Sequence, residues 1–138
     1  MTQTFITHSE AETSAVGRQL APLLSAGSVV LLFGELGAGK TAFVRGLAEG
    51  LGISPADVSS PTFTLIQEYR GGRLPFLHVD LYRLDDPREI DELGIEELGD
   101  GAAVAVEWPD KLRRPKGHVV VVRIEDAGDT ERRLLIDT

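Results

Sequence analysis

Two hydrophobic periodicities divide the chain. Val29-Val30-Leu31-Leu32-Phe33 is apolar at every position, and Ala102–Val106 has the same character. Such unbroken short runs predict strands buried on both faces. Thr2–Thr7 reads as a short strand with Phe5 its main apolar residue. Ala15, Val16, Leu20, Leu23 and Leu24 then recur at helical spacing behind a capping box of Ser9 and Glu12, predicting a helix over about 10–25. Pro22 falls late in that pattern, where a proline kinks or shortens a helix, and Ala26-Gly27 ends it. Phe43, Val44, Leu47 and Leu51 mark one side of a second helix, about Lys40 to Leu51, closed by Gly50 and Gly52. Leu65–Tyr69 and Leu74–Tyr82 read as strands around a Gly71-Gly72 hairpin. An acidic helical stretch follows from Asp85 to Leu98, with Pro87 near its start and Ile90, Leu93, Ile95 and Leu98 as its apolar side. His118–Ile124 and Arg132–Ile136 form two antiparallel strands joined across Asp126–Asp129. Strands alternate with helices early and pair as hairpins later. The expectation is an α/β fold in one domain over 1–138: a mixed, mostly parallel sheet, helices on its faces, and antiparallel strands at the C-terminus.

Composition narrows the function classes. The net charge is −8, which argues against a broad nucleic-acid-binding surface, including one for DNA. It leaves room for a protein partner that itself handles RNA. The chain has no cysteine, so disulfides, thiolate nucleophiles and zinc–thiolate sites are excluded. Met1–Phe5 lacks a basic region leading into an apolar one, and no apolar run approaches membrane-spanning length. A cytoplasmic protein without a membrane partner is expected.

The chemistry concentrates where the first apolar strand ends. Gly34-Glu35-Leu36-Gly37-Ala38-Gly39-Lys40-Thr41 has the form G-x-x-x-x-G-K-T. In such a loop glycines let the backbone curl so that successive N–H groups face phosphate oxygens. Lys40 brings a point charge to the β- and γ-phosphates, and the Thr41 hydroxyl is placed to ligate Mg²⁺. A helix starting near Gly39 adds its positive dipole end. The bland alternative is a glycine-rich turn with an incidental lysine, but the apolar strand before and the helix after are what the motif requires. The fold expectation sharpens to a three-layer P-loop NTPase-like arrangement.

A P-loop also needs an acidic group near its metal. Asp80 and Glu107 each end an apolar strand, at the carboxyl edge where open α/β sheets bind ligands. Either is otherwise a solvated strand end. Ser59–Thr64 resembles a nucleotide-sensing loop in which Thr62 contacts Mg²⁺ or the γ-phosphate; otherwise it is a lead-in to an edge strand. Trp108 is the only tryptophan, either a packing anchor or a residue beside the site. His78 alternates along a strand and reads as packed and hydrogen-bonded rather than catalytic. His8 and His118 have no metal-like spacing. The acidic run from Asp85 to Asp100 is a solvated face or a docking surface for a basic partner. Lys111, Arg113, Arg114 and Lys116 read as a solvated loop, with phosphate or RNA contact the alternative.

Four segments in this order, GELGAGKT (34–41), SPTFTL (60–65), HVDLYRL (78–84) and VEWP (106–109), resemble the TsaE (YjeE) family of bacterial small P-loop ATPases. The resemblance runs from about Ser9 to Pro109. It implies an ATP- and Mg²⁺-binding protein required for N6-threonylcarbamoyladenosine at position 37 of tRNAs reading ANN codons. It implies action with the TsaB–TsaD complex, reaching tRNA only through that complex, with weak ATP hydrolysis alone and faster hydrolysis in the assembly. By similarity, Gly37, Ala38, Gly39, Lys40 and Thr41 wrap the phosphates, and Glu35, Leu36 and Ala42 are further cofactor-binding residues. Thr41 and Glu107 ligate Mg²⁺, and Asp80 is the Walker-B-like acid with a place at the metal. Lys40, Asp80 and Glu107 carry the chemistry, Thr62 belongs to the switch-like loop, and Trp108 lies beside the nucleotide. Glu10 and Arg132 are further implied nucleotide contacts.

Other P-loop functions compete with this one. A small-molecule kinase needs a lid with arginines and an acceptor pocket, for which 138 residues leave little room. A GTPase-like switch needs the asparagine of NKxD, and the chain contains none. A binding adaptor without hydrolysis is the third alternative.

Overall fold

The computed structural model describes residues 2–138 apart from 36–38, 55, 57 and 59–64. Among the described residues seven strands form one sheet: β1 (Thr2–Thr7), β2 (Val29–Phe33), β3 (Ile66–Tyr69), β4 (Phe76–Asp80), β5 (Ala103–Glu107), β6 (Val119–Gly128) and β7 (Glu131–Asp137). Their spatial order is β1-β7-β6-β2-β5-β4-β3. The β6-β2-β5-β4 centre is parallel, while β3 pairs antiparallel with β4 and β7 pairs antiparallel with both β6 and β1. Strands β1, β2, β4, β5 and β6 therefore run the same way, as the mixed, mostly parallel expectation requires.

The all-apolar β2 packs on both sides. Val30 and Leu32 join the core beneath the helices α1 (Glu10–Leu20) and α2 (Lys40–Gly50). Val29 and Leu31 join a second core on the opposite face, with Ile90 of α3 (Pro87–Glu92) and Ile95 of α4 (Ile95–Leu98). Helices thus cover both faces of the sheet.

Four expected elements differ in extent. β6 runs on to Gly128, so Asp126–Gly128, expected as part of the connection to β7, belong to the strand because Asp126 and Gly128 stay paired with Arg132 and Glu131. The first helix stops at Leu20 and continues as a 3₁₀ turn over Ala21–Leu23 with Pro22 at its start, because proline has no N–H for the α-helical ladder. The acidic stretch is two helices instead of one, broken where Gly94 takes a left-handed φ of 67°. The strand expected over 74–82 is confined to Phe76–Asp80, and Tyr82 lies in the turn beyond it.

α1 and α2 pack unusually closely because glycines line their contact. A Cβ on Gly17 would fall 2.3 Å from the Phe43 carbonyl oxygen, and one on Gly46 would fall 1.9 Å from that of Ser14. This contact sets where α2 begins, and hence where Lys40 sits. Gly46→Ala is expected to destabilise the fold by about 2–4 kcal/mol through forced helix separation, whereas Gly101→Ala, which meets open space, should change stability by less than about 0.5 kcal/mol. Urea denaturation midpoints of the two variants check this, and equal midpoints would contradict it.

Candidate functional site

β2 delivers the chain to Gly34 and Glu35, and α2 takes it up again at Gly39 and Lys40. Gly39 is the N-cap of α2 with φ 101°, a left-handed conformation that side chains rarely adopt, and as a glycine it offers no side chain to cap the helix. A helix start of this kind, with its N–H groups and positive dipole end, suits an anion. Leu36, Gly37 and Ala38, expected to complete the loop, lie outside the described residues, as does Thr62 with the rest of 59–64.

Lys40 is 5% exposed. Its Nζ donates to the Gly34 carbonyl oxygen at 2.7 Å and stands 3.7 Å from the centroid of the Trp108 ring, a cation–π distance. Burial pushes the ammonium below its ordinary value, opposed by the charges of Glu107, Asp80, Glu35 and Asp110. The two expected acids are brought together here. β5 lies between β2 and β4, and Asp80 stands opposite Glu107 in the β4–β5 register. Thr41 is half-buried and Ala42 buried in the first turn of α2.

Asp80 accepts a 2.9 Å hydrogen bond from the Tyr82 N–H. Burial raises its carboxyl above the ordinary range, the Tyr82 hydrogen bond lowers it, and neighbouring Glu107 raises it further. Glu107 is buried and its Oε2 lies 2.6 Å from His78 Nε2. His78 was expected to be packed and hydrogen-bonded, and it is fully buried with this partner. Trp108 has a left-handed backbone (φ 57°), which costs a non-glycine residue about 1–2 kcal/mol. That turn swings its ring over Lys40, and Tyr82 packs on it with ring centroids 4.9 Å apart. Sequence reading passed over Tyr82, although its place two residues beyond Asp80 is a signal for this end of β4.

A cleft of about 520 Å³ adjoins the loop, lined by Gly34, Glu35 and Trp108 on one side and by Arg123, Glu125 and Asp126 of β6 on the other. Arg132 is not part of the cleft lining, but its Nη1 lies 3.3 Å from Asp126, which is. Thr7 is paired with Arg132 across β1 and β7. Glu10, the first residue of α1, is exposed. Among the described residues no three histidine, aspartate or glutamate side chains form a ready-made metal cage. The donor types, the Thr41 hydroxyl and the Asp80 and Glu107 carboxylates, do suit a hard cation that brings its other ligands with it.

Comparison with known proteins settles the family. Residues 7–134 match the family described as threonylcarbamoyl adenosine biosynthesis protein TsaE. The chain belongs to the TsaE family. It is 44% identical over 126 residues to the tRNA threonylcarbamoyladenosine biosynthesis protein TsaE of Bacillus subtilis (strain 168), covering 89% of this chain and 77% of that one. Identity to the TsaE of Treponema pallidum (strain Nichols) is 38%, covering 95% and 97% of the two chains. The crystal structure of Bacillus subtilis YdiB superposes with a TM-score of 0.79 at 34% identity, covering 99% of this chain and 84% of that one. A TsaE fold thus places the buried lysine, the paired acids and the tryptophan at one sheet edge. No described helix is long and apolar enough to cross a membrane.

The raised Asp80 carboxyl makes a pH prediction. The folded chain holds that proton more tightly than the unfolded chain, so Asp80 lowers stability as pH rises from 3.8 through its raised value. Asp80→Asn keeps an oxygen for the Tyr82 N–H and removes the charge. In metal-free buffer it should melt at a higher temperature than the parent at neutral pH, with the gap closing below pH 3.8. Thermal melts across pH check this, and a lower melting temperature at neutral pH would contradict it.

Proposed function

We propose that this chain is a Mg²⁺-dependent ATPase with a P-loop NTPase fold, one domain over 1–138. Its activity serves threonylcarbamoyl modification of adenosine 37 in tRNAs that read ANN codons, in the cytoplasm, together with the TsaB–TsaD complex. The observation that carries the reading is the buried Lys40 ammonium, set between the glycine-capped N-terminus of α2 and the Glu107–Asp80 pair at one end of β2. Membership of the TsaE family supports the tRNA pathway, because the relatives bear that name.

In this reading the α2 N–H groups and the loop from Glu35 to Ala42 hold the phosphates. Lys40 leaves the Trp108 face and the Gly34 carbonyl to neutralise charge at the β- and γ-phosphates. Thr41 and Glu107, with Asp80 beside them, hold Mg²⁺, which when bound supplies charge neutralisation of the triphosphate. Asp80 or Glu107 orients the attacking water. The cleft between Trp108 and β6 accepts the nucleoside side, with Arg132 and Glu10 as further contacts. Catalysis is then positioning plus charge neutralisation. Hydrolysis is slow in the free chain because the partner complex completes the site.

Phosphate release, measured with and without TsaB–TsaD and tRNA, tests this reading. The rate should rise by at least about 10-fold in the assembly, since groups supplied in trans to phosphoryl-transfer sites are worth that and more. Lys40→Ala should weaken ATP binding about 100-fold, the equivalent of ~3 kcal/mol for a lost charge-assisted contact. A rate indifferent to the partners, or unaltered ATP affinity in Lys40→Ala, would refute the reading.

A further inference from the structure

Among the described residues His78 is a fully buried polar side chain beside the site whose role the ATPase reading leaves open. It lies on β4 two residues before Asp80, so both side chains point to the same face of the sheet. Ala105 stands opposite it on β5, and Glu107 follows two residues on, again on that face. The ring stacks on Phe76 at 6.4 Å and is closed off from water. Its Nδ1 has no hydrogen-bond partner among the described residues, so its one polar bond is the 2.6 Å contact to Glu107 Oε2. A carboxylate only accepts, so Nε2 donates in that bond. Among the described residues the Glu107 carboxylate makes no other hydrogen bond.

A buried carboxylate beside Lys40 and Asp80 has competing pulls: attraction to the ammonium and repulsion from the second acid. A single short bond from beneath decides its rotamer. We propose that His78 is a positioning residue that pins Glu107 Oε2 and so reserves Oε1 for a divalent cation bound with nucleotide. This rests on the reading of Glu107 as a Mg²⁺ ligand. The orphaned Nδ1 fits the idea: a histidine kept only for packing has no need to bury a polar atom unpaired, whereas leucine fills similar space without that cost. Hydrogen bonds to metal-binding side chains from the layer behind them are worth about 10- to 100-fold in metal affinity.

The test is ATP affinity of the full chain by calorimetry, in excess Mg²⁺ and in EDTA, taken as a ratio. His78→Leu should cut the Mg²⁺-dependent gain by about 10-fold or more while affinity in EDTA stays close to that of the parent. His78→Gln, whose amide nitrogen extends as far as Nε2, should restore the gain, and the shorter His78→Asn should not. Electron paramagnetic resonance of Mn²⁺ with ADP should show the same ranking. A parental ratio in His78→Leu, or equal loss in both buffers, overturns the inference. If His78→Leu does not fold, equal ratios for His78→Gln and His78→Asn overturn it instead. A parent chain whose ATP affinity ignores Mg²⁺ would remove the metal-site reading itself, and this inference with it, which distinguishes the two failures.

Discussion

At the carboxyl end of β2 the Lys40 side chain is 5% exposed, so its ammonium surrenders hydration that only anionic or electron-rich neighbours replace. The Gly34 carbonyl, the Trp108 ring and the charges of Glu107 and Asp80 supply that replacement. Each is imperfect. The carbonyl is one dipole, the ring one face, and the carboxylates are themselves partly desolvated. The group is thus compensated without being saturated, the condition expected of a cation kept ready for phosphate oxygens. Functional sites commonly store such incomplete compensation, and the rest of the fold sustains it.

Several elements converge to make that burial possible. The close α1–α2 contact fixes the start of α2, and the left-handed Gly39 turns the chain into it. β5, inserted between β2 and β4, brings Glu107 and Asp80 side by side. The left-handed Trp108, followed by buried Pro109, lays an aromatic lid on the ammonium. Most of the apolar core lies below this edge, so the strained and charged residues gather at the rim, where backbone cost is offset by packing beneath.

Much of this was legible in the sequence because it is local. The apolar run at 29–33 and the glycine pattern at 34–41 each carry their meaning within a few residues. Asp80 and Glu107 could each be picked out as an acid ending a buried strand. Their adjacency could not, because it depends on a crossover order, β2-β5-β4, that no local periodicity encodes. The same holds for His78: alternation puts it on the Asp80 face, but its contact with Glu107 exists only once β4 and β5 are in register. Helix ends were misjudged where a single residue overrides an apolar repeat, at Pro22 and Gly94. The left-handed turn at Trp108 had no advance signal beyond the following proline.

Trp108, the only tryptophan, touches Lys40 directly, so its emission reports on the ammonium. Titrating the full chain with ATP in excess Mg²⁺ while following that emission is the most direct check on the account. A saturable change that adenosine, lacking phosphates, does not reproduce is predicted, because in the proposed reading phosphate would draw Lys40 off the ring. Unchanged emission at saturating ATP, or the same change with adenosine, would contradict it.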